Sequence, residues 1–209
     1  MMRKNTISKH KISNCRGYTL VELLAVTSIV VIVSGLIIGI LYSTLRGGNK
    51  SKVTNDVAQN GNFALSIISN TALLASNVIS VNQTSISDCT NSSENIANFP
   101  SNPDGYPSGT SIEFERVDGS LVAFSCDASS QSIASSSATA NQNYLIDNNS
   151  VKVDPASCSF TCVQPDSNPY AQPIISVSFT VSQRSGAVFE NVASSTFDTS
   201  VTMRNFNPR

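Results

Sequence analysis

Histidine is almost missing from this chain. Among 209 residues only His10 carries an imidazole, and it lies in a short basic N-terminal segment. Beyond that segment there is no general base for a Ser-His-Asp or Cys-His site and no ligand for a histidine-containing zinc centre. Charge is also sparse, at 13% of residues. In the C-terminal half Arg116, Lys152, Arg184, Arg204 and Arg209 are scattered and outnumbered by acids. Nucleic-acid recognition needs clustered cations, so no nucleic-acid partner is expected. Asp104, Asp147 and Asp154 do not form the D-x-[DN]-x-[DN]-G spacing of a calcium loop. Glu113 and Glu115 share one face of a candidate strand, where solvation accounts for them. No catalytic residue, metal or cofactor is expected, and the chain is read as a non-enzyme.

What the chain does have is one long apolar run. From Arg16 to Tyr42 it reads RGYTLVELLAVTSIVVIVSGLIIGILY, and after Glu22 the only polar members are Thr27, Ser28 and Ser34. About 20 apolar residues suffice to cross the ~30 Å hydrocarbon core as a helix. Glu22 stands at the mouth of this run with no Lys or Arg at helical spacing. An ionisable group there is costly and marks a function with a partner. A secretory signal would have an apolar core of roughly 7–15 residues followed by a small-residue cleavage site. This run is longer, and no A-x-A site follows Tyr42. Gly35-Leu-Ile-Ile-Gly39 also matches the small-xxx-small pattern of close helix approach.

The segment Gly17-Tyr18-Thr19-Leu20-Val21-Glu22-Leu23-Leu24 resembles the class III signal of type IV pilins and type II secretion pseudopilins. The resemblance implies cleavage after Gly17 by a prepilin peptidase and methylation of the new amino terminus at Tyr18. It also implies that Glu22 pairs with the N-terminal ammonium of a neighbouring subunit during filament assembly. A buried carboxylate is tolerable when it meets an opposite charge. The chain departs from the family in carrying Tyr18 where phenylalanine is usual. It also has Gly39 about where many major pilins carry a kinking proline.

Under this reading residues 1–17 are a leader that stays in the cytoplasm. The leader holds five of the 13 basic residues (Arg3, Lys4, Lys9, Lys11, Arg16) and none of the 14 acids. Eight basic residues against fourteen acids remain, a formal net of −6 for the mature chain. That bias follows the positive-inside rule, although Arg46, Lys50 and Lys52 flank the far side of the run. The mature protein is then a single-pass inner-membrane protein with its head outside the cytoplasm, and afterwards part of a periplasmic or extracellular filament. Other pilins or pseudopilins would be its partners through their N-terminal helices.

Cys15 departs with the leader, leaving Cys89, Cys126, Cys158 and Cys162. An even number in an exported chain favours disulfides over thiols. Three connectivities exist. The expected one closes a short Cys158–Cys162 loop and joins Cys89 to Cys126. The x3 spacing of the one close pair argues against a four-cysteine zinc site.

At this length the chain has room for one domain, with or without an appendage. The expected divisions are leader 1–17, membrane or filament-core helix 18–45, amphipathic helix 46–80 and a β-rich head 81–209. The pair Gly47-Gly48 is a weak point, since each glycine costs roughly 1 kcal/mol in a helix interior. Val53, Val57, Ala64, Ile68, Ala72, Ala75 and Ile79 then fall on one stripe, opposite Asn55, Gln59, Asn62, Ser66, Asn70 and Asn77. Residues 82–110 have loop composition. Ile112–Val117 and Leu121–Cys126 flank Asp118-Gly119 as a hairpin. The Ser/Ala/Thr/Asn tract from Ala128 to Asn143 reads as a flexible surface loop. Ile174–Ser182 and Thr196–Arg204 are the remaining clear strands, each with one apolar face.

The expected fold class is therefore α+β: a long N-terminal helix packed on an antiparallel sheet of about four strands. The order of elements and the closing Val201-Thr-Met-Arg204-Asn205 resemble minor pseudopilins and minor pilins of the J/W kind. The implied role is a minor pilin or pseudopilin of a type IV pilus-like or type II secretion filament. The alternatives are an adhesive or DNA-binding minor pilin, or a membrane-anchored exported domain of other function.

Overall fold

The computed structural model describes residues 18–100, 102, 104–137, 140–165, 168, 170–184 and 193–207. The leader, with His10, Cys15 and Gly17, lies outside the described residues. The chain divides into two compact units, Met1–Gly47 and Gly48–Arg209.

One helix, α1 (Leu20–Leu74), contributes to both units. Within the second unit its buried residues are Val57, Gly61, Ala64, Ile68 and Ala72, at steps of three and four that make a single stripe. Asn55, Gln59, Asn62, Ser66 and Asn70 face solvent as the pattern required. Gly47 and Gly48 both keep helical conformation.

The helix stops earlier than periodicity predicts. Ala75 and Ile79 do not extend α1; they belong to β1 (Ala75–Val81), which follows it with no intervening loop. Asn77, expected on the solvated side, is buried in that strand. Neither glycine nor proline marks the boundary. The C-terminal tail does: the Arg204 amide donates to Leu73 O at 3.0 Å and Asn205 Nδ2 to Leu74 O at 3.3 Å. These bonds satisfy carbonyls that a terminating helix leaves unpaired.

The remaining elements, in chain order, are β2 (Thr84–Ser85), α2 (Ser93–Asn98), β3 (Ser108–Gly109), β4 (Ser111–Arg116) and β5 (Leu121–Asp127). They are followed by β6 (Ser132–Ser137), β7 (Ala140–Tyr144), β8 (Val151–Val153), β9 (Ser159–Val163), β10 (Ile174–Gln183) and β11 (Ser194–Thr202). The architecture is α+β, with a long N-terminal helix on antiparallel sheets, as expected from the sequence. The strand count is not. There are two sheets in place of one, ordered β2-β1-β4-β5-β6-β7 and β11-β10-β9-β3, with β8 pairing β10.

The hairpin at Asp118-Gly119 forms as read, with Ile112 opposite Phe124 and Phe114 opposite Val122. A second tight turn, at Asn82-Gln83, joins β1 to β2 with both residues at positive φ, 51° and 64°. That backbone matches the two-residue hairpin turn whose twist suits the flanking strands. The serine-rich tract is the largest correction. It supplies β6 and β7, and Ser132, Ile133 and Ala134 are all buried. Ile133 fills a core position that pairing with β5 defines, so a short apolar contribution is enough to hold the strand.

The core gathers Phe114, Phe124, Phe160 and Phe179, each no more than 1% exposed, between helix and sheets. Phe114 and Phe124 meet edge to face at 6.2 Å, a favoured aromatic geometry. On β10 the alternation Ile175, Val177, Phe179, Val181 faces this core throughout. On β11 Phe197 is buried, while Thr199 and Val201 are half-buried; Met203, just past the strand, is fully buried.

Candidate assembly and processing site

The N-terminal end of α1 is built by Thr19. Its carbonyl accepts from the amides of Glu22 at 3.1 Å and Leu23 at 3.2 Å. Its Oγ1 also accepts from the Glu22 amide at 3.3 Å. Thr19-Leu20-Val21-Glu22 has the T-x-x-E spacing of a capping box, and the threonine half of that box is formed. Sequence reading singled out Glu22 for its charge and passed over Thr19. The T-x-x-E spacing was the available signal. A carboxylate in the first turn is also favoured by the positive end of the helix dipole. Among the described residues no Lys or Arg pairs with Glu22.

From Leu20 to Leu45 the large apolar side chains are exposed, Val21 at 75% and Ile32 at 64% among them, and none is buried. Water does not tolerate such a surface around a whole helix, so this segment needs lipid or other helices. The polar members are compatible with that. Thr27 Oγ1 donates to Leu24 O at 3.0 Å, Ser28 Oγ to Ala25 O at 2.8 Å and Ser34 Oγ to Val30 O at 2.7 Å. Each hydroxyl is satisfied within its own helix, which removes the penalty of carrying it into hydrocarbon. A Cβ added at Gly35 or Gly39 would meet nothing within 4 Å, so that face has no neighbour among the described residues. Helix α1 is long and apolar enough to cross a membrane.

Tyr18, the residue expected to become the amino terminus, is 80% exposed and precedes the helix. Gly17 falls outside the described residues.

In the head the four cysteines are all paired, but not as expected. The bonds are Cys89–Cys162 and Cys126–Cys158, in place of Cys158–Cys162 and Cys89–Cys126. The reason is the sheet. Cys162 lies within β9, where a straight strand holds Cys158 and Cys162 too far apart to bond. Cys158 closes a 3₁₀ turn, Pro155–Ser157, ahead of β9 and meets Cys126 on β5. That bond staples the two sheets together. Cys89 anchors the loop after β2 to β9, and the buried Gln164 supports the junction by accepting from the Cys89 amide at 3.1 Å.

Three aspartates, Asp118 and Asp147 exposed and Asp127 half-buried, organise the turns of the head. Asp118 accepts from Ser120 Oγ and its amide, Asp127 from the Ser129 and Ser130 hydroxyls, and Asp147 from Ser150 Oγ and Asn149. Side-chain bonds from Ser120, Ser129 and Ser150 respectively are the main cause that holds these carboxyls below the ordinary 3.8. Hydrogen bonds to the ionised form favour it. Asp154 is spent on capping the 3₁₀ turn through the Ala156 amide at 3.1 Å. Asp104 offers its backbone carbonyl to Asn91 Nδ2 at 3.2 Å. No cluster of three or more His, Cys, Asp or Glu able to hold a metal is found among the described residues.

No curated protein and no solved structure matches the chain. Residues 12–38 match the family model described as the prokaryotic N-terminal methylation motif. That match spans the end of the basic segment, Gly17-Tyr18, the Thr19–Glu22 cap and most of the apolar run, and its described residues, Tyr18 onward, are exposed. The N-terminal segment of this chain thus carries the prokaryotic N-terminal methylation motif.

Proposed function

We propose that the protein is a minor pilin or pseudopilin of the J/W kind, a structural subunit of a type IV pilus-like or type II secretion filament. A prepilin peptidase removes residues 1–17 by cutting after Gly17, and Tyr18 is methylated at its new amine. Residues 18–45 cross the inner membrane until assembly, with the head outside the cytoplasm, and then join a core of sister helices. The observation that carries this reading is the motif over residues 12–38, which runs into a helix whose large apolar side chains from Leu20 to Leu45 are exposed.

Glu22 supplies the assembly chemistry. Within a helix bundle an unpaired carboxylate costs several kcal/mol, whereas an ammonium beside it restores the balance. Cleavage creates such a cation at Tyr18, and N-methylation leaves it charged. A subunit's Glu22 therefore pairs with the amine of a neighbour, whereas in an uncleaved chain the Tyr18 nitrogen is an uncharged peptide amide that cannot make this pair.

Intact-mass analysis of the protein from producing cells tests this directly. The expected species begins at methylated Tyr18. A chain that keeps Met1 or Met2 would sink the proposal. Gly17→Ala is expected to accumulate as the longer precursor, and Glu22→Ala to be cleaved yet fail to enter filaments with other subunits. Normal filament entry by Glu22→Ala would remove its charge-pairing role.

A further inference from the structure

Within the Gly48–Arg209 unit, helix α1 has a second side next to its buried stripe. Asp56, Gln59, Asn60 and Phe63 recur at steps that keep them together on that side. With Asp147 and Ser150 they line an open groove of about 360 Å³. Asn60 Oδ1 accepts from the Asp147 amide at 2.8 Å, which ties the far wall of the groove to the helix. The groove thus offers two carboxylates and a phenyl ring that is 55% exposed. Carboxylates beside an exposed aromatic ring suit the ammonium of a lysine.

A lysine stands one turn earlier on the same side. Lys52 is exposed and lies at helical spacing ahead of Asp56. The two do not close on each other: no ion pair of Lys52 or Asp56 is found among the described residues. A basic residue placed N-terminal to its acid is also the less favourable order on a helix. Each chain therefore carries a cation and, further along the same helix, an anionic groove that its own cation does not fill.

We infer that Lys52 of one copy docks in the Asp56–Phe63–Asp147 groove of a second copy whose α1 lies parallel to it. Setting Lys52 beside Gln59, midway along the groove, needs a stagger of about two helical turns, or about 10 Å. The same stagger brings the half-buried Ile67 of one copy beside Leu74 of the other, which is 57% exposed. Both N-termini keep one direction, as a shared membrane and a core of sister helices require. Donor and acceptor are different patches, so the contact is head-to-tail and repeats from copy to copy. It rests on the parallel sister helices proposed above, but not on cleavage after Gly17.

The test uses two differently tagged full-length copies produced together and treated in their membrane with a zero-length carbodiimide, which joins an amine to an adjacent carboxylate. A dimer carrying both tags is expected, with Lys52 linked to Asp56 or Asp147 in its peptide map. Lys52→Glu in both copies is expected to lower the yield about tenfold or more, and Asp56→Lys likewise. The double variant Lys52→Glu, Asp56→Lys exchanges the charges and is expected to recover most of the yield. Lys50→Gln, on another side of the helix, is expected to leave it unchanged. Intact mass of the same sample separates this contact from the processing. Absence of the mixed dimer among chains that begin at methylated Tyr18 overturns the contact alone. A Lys52-dependent dimer among chains that keep Met1 supports the contact and sinks the processing. The inference is also overturned if Lys52→Glu leaves the yield unchanged, if Lys50→Gln abolishes it, or if the exchanged charges recover nothing.

Discussion

Gly61 offers the sharpest test of how the helix sits on the head. A Cβ built there would stand 2.6 Å from Phe197 Cδ2 and closer still to Cε2 and Cζ. The ring has little room to retreat, because Phe197 stacks on the fully buried Phe179 with centroids 5.8 Å apart. Two effects oppose each other in Gly61→Ala. Helix propensity favours alanine by about 1 kcal/mol. Overpacking a filled core costs typically 1–3 kcal/mol, sometimes more. An overlap of this depth against an aromatic ring belongs at the upper end, so a net loss of about 1–2 kcal/mol is expected. For a unit of this size that lowers the thermal midpoint by roughly 3–8 °C. The assay is denaturant and thermal unfolding of the Gly48–Arg209 unit, which contains every buried residue found, from Val57 onward. Phe197→Leu opens space beside the helix, so in that background the alanine should cost little or become favourable. If Gly61→Ala is as stable as the parent, or gains the full propensity term, the close approach of α1 to β11 is wrong.

Disulfide mapping of the unreduced protein should recover peptides joining Cys89 to Cys162 and Cys126 to Cys158, and none joining Cys158 to Cys162. With the inner bond intact, the path closed by Cys89–Cys162 is 37 residues from Cys89 to Cys126 plus 4 from Cys158 to Cys162. Loop entropy for such a path is worth about 4 kcal/mol, so a Cys89→Ser, Cys162→Ser double variant should unfold at clearly lower denaturant. The lowered carboxyls of Asp118, Asp127 and Asp147 add stability that is fully present above the ordinary 3.8 and lost as pH falls through their lower folded values. Replacing Ser120, Ser129 and Ser150 together by alanine should therefore lower the thermal midpoint near neutrality, and the gap from the parent should narrow as pH drops below 3.8. Equal gaps at pH 7 and pH 2 would contradict that linkage. Ile133→Asp, in a segment of loop-like composition, should cost several kcal/mol because it buries an unpaired charge; a stable variant would show that β6 does not line the core.

Local chemistry was enough wherever an element carried its own signal. The apolar helix, the Glu22 anomaly, the Asp118-Gly119 hairpin and the alternation along β10 each depend on neighbours within a few residues, so they are legible in one dimension. Three features were not. Ala75 and Ile79 satisfy the helical stripe as well as they satisfy a strand; pairing with β4 and capping by the C-terminal tail select the strand. The serine-rich tract has weak intrinsic preference, and β5 supplies the template that makes β6 from it. Cysteine partners depend on which strands lie side by side, and spacing along the chain carries no record of that. Side-chain periodicity reports what a segment prefers alone, whereas helix ends, weak strands and cross-links are settled by groups tens of residues away, whose hydrogen bonds and packing outweigh preferences of a few tenths of a kcal/mol per residue.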